Sequence, residues 1–191
     1  IAIYLAKLLD FKYMGKLPAP WLFPSIMLVW VNSHAGYVAG IALLLLFLGS
    51  EWLMSLWNMS PARTAYRAQL KKMSVIAALT VVATLANPWF IEHWIYPFEV
   101  VRMSATEVIA EWQSPDFHAA LPRIYLVMVA ALVGAGFYAR RRPDVTELAI
   151  PAFFFVNAFI SIRHIPIAVM VAVPFLALML KEGTLSYLLG L

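Results

Sequence analysis

Cysteine is absent from the 191 residues, which excludes disulfide frameworks and thiolate metal sites and leaves the redox compartment open. Charge is scarce, at 13% of the chain. The four histidines, His34, His93, His118 and His164, stand singly, with no HExxH or HxxxH spacing. That argues against a histidine metal site. No Walker pattern supplies a phosphate loop, and no internal repeat suggests an inverted-repeat transporter. The two-residue alternation of a transmembrane barrel is also missing from runs such as "GIALLLLFLG".

What is present is apolar. Hydrophobic residues make up 63% of the chain, and the mean hydropathy is +0.82. Soluble domains lie nearer about 45–50% apolar. The expected fold is therefore all-α, a polytopic transmembrane helix bundle of about six spans, at about 18–31, 36–57, 70–86, 122–139, 148–162 and 165–180. Several of these have only about 14 to 17 residues, below the ~20 that cross a bilayer core. The opening "IAIYLAKLLD" reads as the tail of a helix already under way, and the closing "TLSYLLGL" as the start of another. The expectation is one membrane-embedded domain over 1–191, an internal piece of a longer chain whose missing helices pack against it.

The long apolar stretch from Pro18 to Trp57 reads as one helix or as two passes with a turn at "NSHAG". Asn, Ser and Gly favour a turn. Two passes also place Lys12 and Lys16 on the same side as Arg63, Arg67, Lys71 and Lys72, as the positive-inside rule prefers. The "RRRPD" block falls on that side as well. Only Arg102, Arg123 and Arg163 among the basic residues then lie outside, with all four histidines and with Glu92, Glu99, Glu107, Glu111 and Asp116. Polar chemistry gathers at the extracytoplasmic ends of the helices. The basic inner blocks are topology signals, not nucleic-acid patches. Gly36-x-x-x-Gly40 and the "VGAGFYA" glycines, Gly134 and Gly136, read as close-packing stripes.

The outer loop, 87–121, opens with "NPWFIEHWIYPFEVVRM". Glu92 and Glu99 are seven apart and share a helix face among aromatic and aliphatic neighbours. This predicts an interfacial amphipathic helix, broken or kinked at Pro97. "EWQSPDF" follows, with Glu111 beside Trp112, a carboxylate and an indole suited to sugar hydroxyls and ring faces. Arg163 and His164 interrupt the apolar run 148–180. A charge at mid-bilayer costs about 2.5–3.5 kcal/mol on insertion scales, so the pair is expected in the tight outer turn before Pro166. There Arg163 either snorkels to lipid phosphates or faces inward to hold an anion. If the outer turns converge, Asn32, His34, Asn87, Glu111, Arg163 and His164 share one cavity.

Four motifs, in order, carry a family resemblance. "LVWVNSHAGYVAGIALL" resembles a W-x-N-x-H-G-x-x-x-G signature, and "ATLANPWFIEHWIYPFEVV" an N-P-Y/W-G segment. "IAEWQSPDF" resembles E-W-x-S-P, and "FISIRHIPIAVMVAVPFLA" an R-H/N-I-P-hydrophobic element. Together, over roughly 18–180, they resemble bacterial polytopic membrane proteins related to the GT-C glycosyltransferases, the class of the dolichyl-phosphate-mannose–protein mannosyltransferases. Ala35 stands where glycine is usual, and Trp89-Phe90 where a Tyr-Gly pair is typical. The acidic residue that these enzymes place in their first outer loop has no counterpart in this chain.

The resemblance implies transfer of a sugar from a polyprenyl-phosphate carrier to an acceptor on the extracytoplasmic face of the bacterial cytoplasmic membrane. Membrane lipid and lipid-linked sugar are the implied partners, and nucleic acid is not. Arg163, then Arg123, would hold the leaving phosphate through bidentate guanidinium bonds. His164 or His34 would protonate it, and Glu111 or a carboxylate outside this chain would deprotonate the acceptor. Asn32, Asn87 and Trp112 would orient substrate. The resemblance assigns no definite cofactor, and a divalent metal is left open. The alternatives are a transporter or channel for a polar solute and a non-catalytic scaffold subunit.

Overall fold

In the computed structural model, the described residues are 1–57, 61–103, 109–139 and 141–188. Glu107 and Arg140, used above in sorting charges, lie outside them, as does the side chain of Arg63. All regular structure among the described residues is helical. Among the described residues the α-helices are α1 (Ala2–Met14), α2 (Leu22–Val31), α3 (Tyr37–Leu56), α4 (Pro61–Ala83), α5 (Glu92–Arg102), α6 (Ala120–Tyr138), α7 (Val145–Ile160) and α8 (Ile165–Leu188). Two short 3-10 turns, Ala110–Trp112 and Ile162–His164, complete the order. The chain divides into two compact units, Ile1–Met103 and Ser104–Leu191.

Each of the six expected spans falls on a helix, and these helices differ in whether they reach membrane-crossing length. Two segments, Tyr37–Leu56 and Ile162–Lys181, are long and apolar enough to cross a membrane. Leu22–Val31, Pro122–Tyr138 and Val145–Ile160 are apolar but shorter. α4 starts nine residues before the expected 70, because its first turns carry Arg63, Arg67, Lys71 and Lys72 and are helical without being apolar. The closing stretch up to Leu188 continues α8 and does not open a new helix.

In the first unit, α4 packs on α2 and α3, and α1 packs on α3. Tyr4, Leu5, Leu8 and Phe11 recur at helical spacing, and this stripe of α1 is buried. The Tyr4 ring stacks on Phe23 at 4.3 Å, and its hydroxyl donates to the Phe23 carbonyl at 2.6 Å. Gly15, at φ +66°, ends α1 in the left-handed conformation that glycine adopts without a Cβ penalty. Gly40 lets α3 approach α2: a Cβ there would lie 2.6 Å from Cζ3 of Trp30. The close-packing expectation therefore holds at Gly40.

It fails at Gly134, where a Cβ would meet nothing within 4 Å among the described residues, and at Gly136, where the contacts are ordinary ones at 3.9 Å. α5 is one continuous helix through Pro97, not a broken one.

Polar clamps tie α1, α3 and α4. Lys12 pairs with Glu51, both side chains below 10% exposed at 7% and 5%, and the Tyr66 hydroxyl donates to the second Glu51 oxygen at 2.5 Å. Arg67 donates to the Ser55 carbonyl, and the Trp52 indole to Ser74 Oγ at 3.0 Å.

In the second unit, α8 packs on both α6 and α7. Tyr125 is buried, and its hydroxyl donates to the Phe155 carbonyl at 2.8 Å. α7 begins at Val145, three residues before the expected 148, because Asp144 and Glu147 form a capping box. The Asp144 carboxylate accepts from the backbone of Thr146 and Glu147, and Glu147 accepts from the Asp144 backbone at 2.8 Å. Arg141 grips the buried Glu147 carboxylate through both its terminal nitrogens, at 2.9 and 2.6 Å. One arginine of the "RRRPD" block is thus a structural partner as well as a charge.

Candidate functional site

The second unit gathers Glu111, Trp112 and Arg163. Two 3-10 turns distant in sequence meet there. Ser161, buried after α7, donates its hydroxyl to the Glu111 carbonyl at 2.8 Å. The Ile162 N–H donates to the Gln113 carbonyl at 3.0 Å, and the Ser114 hydroxyl reaches the Ile160 carbonyl at 3.4 Å. These bonds hold "EWQS" against "SIRH". As a result the Arg163 guanidinium lies over the Trp112 ring, 4.2 Å from its centroid.

The Glu111 carboxylate stands 3.9 Å from Arg163 Nη1. At that distance the contact is Coulombic and not a hydrogen bond. Arg163 is 29% exposed at the side chain, against 61% for Glu111. Among the described residues the guanidinium makes no hydrogen bond, so its five donors are open to an incoming anion. His164 follows, its backbone N–H on the Ser161 carbonyl at 3.0 Å and its Nδ1 buried without a hydrogen-bond partner.

The other expected residues are placed elsewhere. In the first unit, Asn32 ends α2, and its amide donates to the Leu28 carbonyl at 2.8 Å and the Ala86 carbonyl at 2.9 Å. That second bond joins the "NSHAG" turn to the turn after α4, so these two turns meet. Asn87 is buried and organises its own turn. Its amide donates to the Thr84 carbonyl at 2.6 Å, and its Oδ1 accepts from the Trp89 N–H at 2.8 Å. Both asparagines are joined to backbone, which gives each a structural role in its turn.

His34 is exposed, and its Nδ1 accepts from the Gly36 N–H at 2.7 Å. Arg123 is exposed on α6, and its Nε donates to the Ala119 carbonyl at 3.3 Å. Nearby, Asp116 accepts from both the backbone and the imidazole of His118, each at 2.9 Å, which holds its carboxyl below the usual carboxylate range. Among the described residues no three His, Cys, Asp or Glu side chains are grouped to hold a metal ion.

One arrangement in the first unit was only half legible in the sequence. Glu92, Tyr96 and Glu99 on α5, with Trp89 and His93, line a cavity of about 450 Å³. The 92/99 spacing shows a shared face. The His93 ring lies flat between Tyr37 at 5.0 Å and Trp89 at 5.9 Å, and no local sequence pattern announces that stack.

Compared with protein-family models, curated proteins and solved structures, the chain matches none.

Proposed function

We propose that this chain is a membrane glycosyltransferase-like protein of the bacterial cytoplasmic membrane. In this reading it moves a sugar from a polyprenyl-phosphate carrier to an acceptor on the extracytoplasmic face. The observation that carries the reading is the guanidinium of Arg163, held over the Trp112 ring, partly buried and with its donors open among the described residues. Leaving phosphate needs such a group, because charge that develops on oxygen is stabilised most by donors held in place beforehand.

Glu111 beside Arg163 serves two ends in this reading. It keeps the cation from being an isolated charge, and it offers a base at the same position. His164, next to Arg163 in the same 3-10 turn, is the proton donor to the departing phosphate in this reading. The resemblance of the four ordered motifs supports the sugar and the lipid carrier. The membrane setting is supported by the two membrane-length helices and by the outward apolar side chains of α6, among them Ile124, Val127 and Phe137, the last 89% exposed. The shorter helices complete a multi-pass bundle in this reading, with basic loops cytoplasmic and 87–121 outside.

Transport has one observation in its favour, the buried Lys12–Glu51 pair, since intramembrane ion pairs often mark ion pathways. Tyr66 and the helix packing around the pair give it a structural reason instead.

The test is transfer of labelled sugar from lipid-linked donors in membranes that carry the full protein. Arg163→Ala is expected to lower turnover by about a hundredfold or more, and Arg163→Lys to recover only part of it, because lysine lacks the planar fork. Full turnover in folded Arg163→Ala would remove the reading.

A further inference from the structure

The cavity beside α5 has a chemistry that the transfer reading does not use. α5 presents three faces. His93, Trp94, Pro97 and Val100 are partly buried and turn inward. Ile91, Ile95 and Phe98, at helical spacing, are exposed. Glu92, Tyr96 and Glu99 form the third face, which lines the cavity with Trp89 and His93.

Among the described residues neither Glu92 nor Glu99 makes an ion pair, and both are exposed. They stand seven positions apart on the helix, about 10 Å of axial rise. One compact metal ion, with oxygen ligands at about 2.0–2.6 Å, cannot sit on both carboxylates. The surface between them is aromatic. Tyr96 lies midway along the face, and Trp89, 59% exposed, adds indole surface braced from behind by the His93–Tyr37 stack.

We propose that this cavity binds an alkylammonium group. A cation that spreads its charge over methyl or methylene groups sits on aromatic faces, where a strongly hydrated metal ion does not. The flanking carboxylates supply the countercharge, and a volume of about 450 Å³ suits a choline- or ethanolamine-sized head. The exposed stripe Ile91, Ile95 and Phe98 borders the site, so the ammonium belongs either to a lipid headgroup or to a free solute.

The experiment uses the full protein in detergent and has two arms. In the first, saturation-transfer NMR follows the N-methyl protons of choline, with tetramethylammonium as competitor and potassium chloride as the ionic-strength control. In the second, native mass spectrometry compares retention of phosphatidylethanolamine with that of phosphatidylglycerol. Saturable choline binding is expected, displaced by tetramethylammonium and weakened at least tenfold in the E92Q/E99Q variant. Trp89→Ala should weaken it several-fold while leaving the carboxylates in place.

Both glutamates are exposed, so E92Q/E99Q should keep the wild-type helical circular dichroism. Phosphatidylethanolamine retained by the wild type and lost in E92Q/E99Q assigns the ammonium to a lipid. Choline binding without that retention assigns it to a solute. No saturable binding in either arm, or equal binding by wild type and E92Q/E99Q, overturns the proposal. Sugar transfer does not enter the readout, so the two proposals stand or fall separately.

Discussion

Asn87 lies buried in the turn that follows α4, with its amide on the Thr84 carbonyl and its oxygen on the Trp89 N–H. Phe90, three residues on, holds a positive φ of 47°, which a non-glycine residue adopts only where its surroundings impose it. Asn87→Ala removes the acceptor for Trp89 and the donor to Thr84 together. The expected loss is about 1–3 kcal/mol, read as a lower thermal midpoint in detergent with catalysis followed separately. Arg163 differs in kind. Its guanidinium rests on an aromatic face and makes no hydrogen bond among the described residues, so truncation should affect turnover more than folding. The residue types at both positions were legible in the sequence, but their roles were not. An asparagine in a turn and one in a site look alike until its partners are known.

At the scale of elements, glycine shows the same limit. The sequence offers Gly40 and Gly134 as equal candidates for close helix packing. Only Gly40 is pressed, by the Trp30 ring. Gly40→Ala should cost about 1–3 kcal/mol through the shift it forces on Trp30. Gly134→Ala, on α6, should stabilise by about 0.5–1 kcal/mol, because alanine restricts the unfolded chain without meeting a neighbour among the described residues. Parallel denaturation of the two variants checks both signs at once. The start of α7 is legible in the sequence, where Asp144 and Glu147 stand at capping-box spacing. Hydropathy passes over such polar first turns, and this is why the expected spans began late at α4 and α7.

For the whole molecule, the absence of native cysteine makes topology directly measurable. Single cysteines at Ser33 and Ser114, both exposed, should label with an impermeant thiol reagent from outside intact cells. Thr64, exposed on α4, should label only after permeabilisation. Labelling of Ser33 and Ser114 from opposite sides would undo the two-pass arrangement around "NSHAG". The Lys12–Glu51 pair bears on stability in the first unit. Glu51→Ala leaves Lys12 buried without its carboxylate and should cost about 3–5 kcal/mol. Replacing both partners by apolar residues of similar volume should restore most of that, as measured by denaturation of the double variant.

Composition alone determined that the chain is helical and apolar, because 63% hydrophobic content without two-residue alternation leaves the helix as the form that closes every backbone hydrogen bond within its own segment. Turn-forming residues and the distribution of basic charge determined the turn at "NSHAG", and local spacing the shared face of Glu92 and Glu99. Tertiary structure decided which polar residues meet. Glu111 and Arg163 are 52 positions apart and come within 3.9 Å only because Ser161 bonds to the Glu111 carbonyl and Ile162 to that of Gln113. His93 enters its stack only because α3 brings Tyr37 beside it. Periodicity along a chain reports which way a side chain points, while the identity of the group it faces depends on how the helices pack.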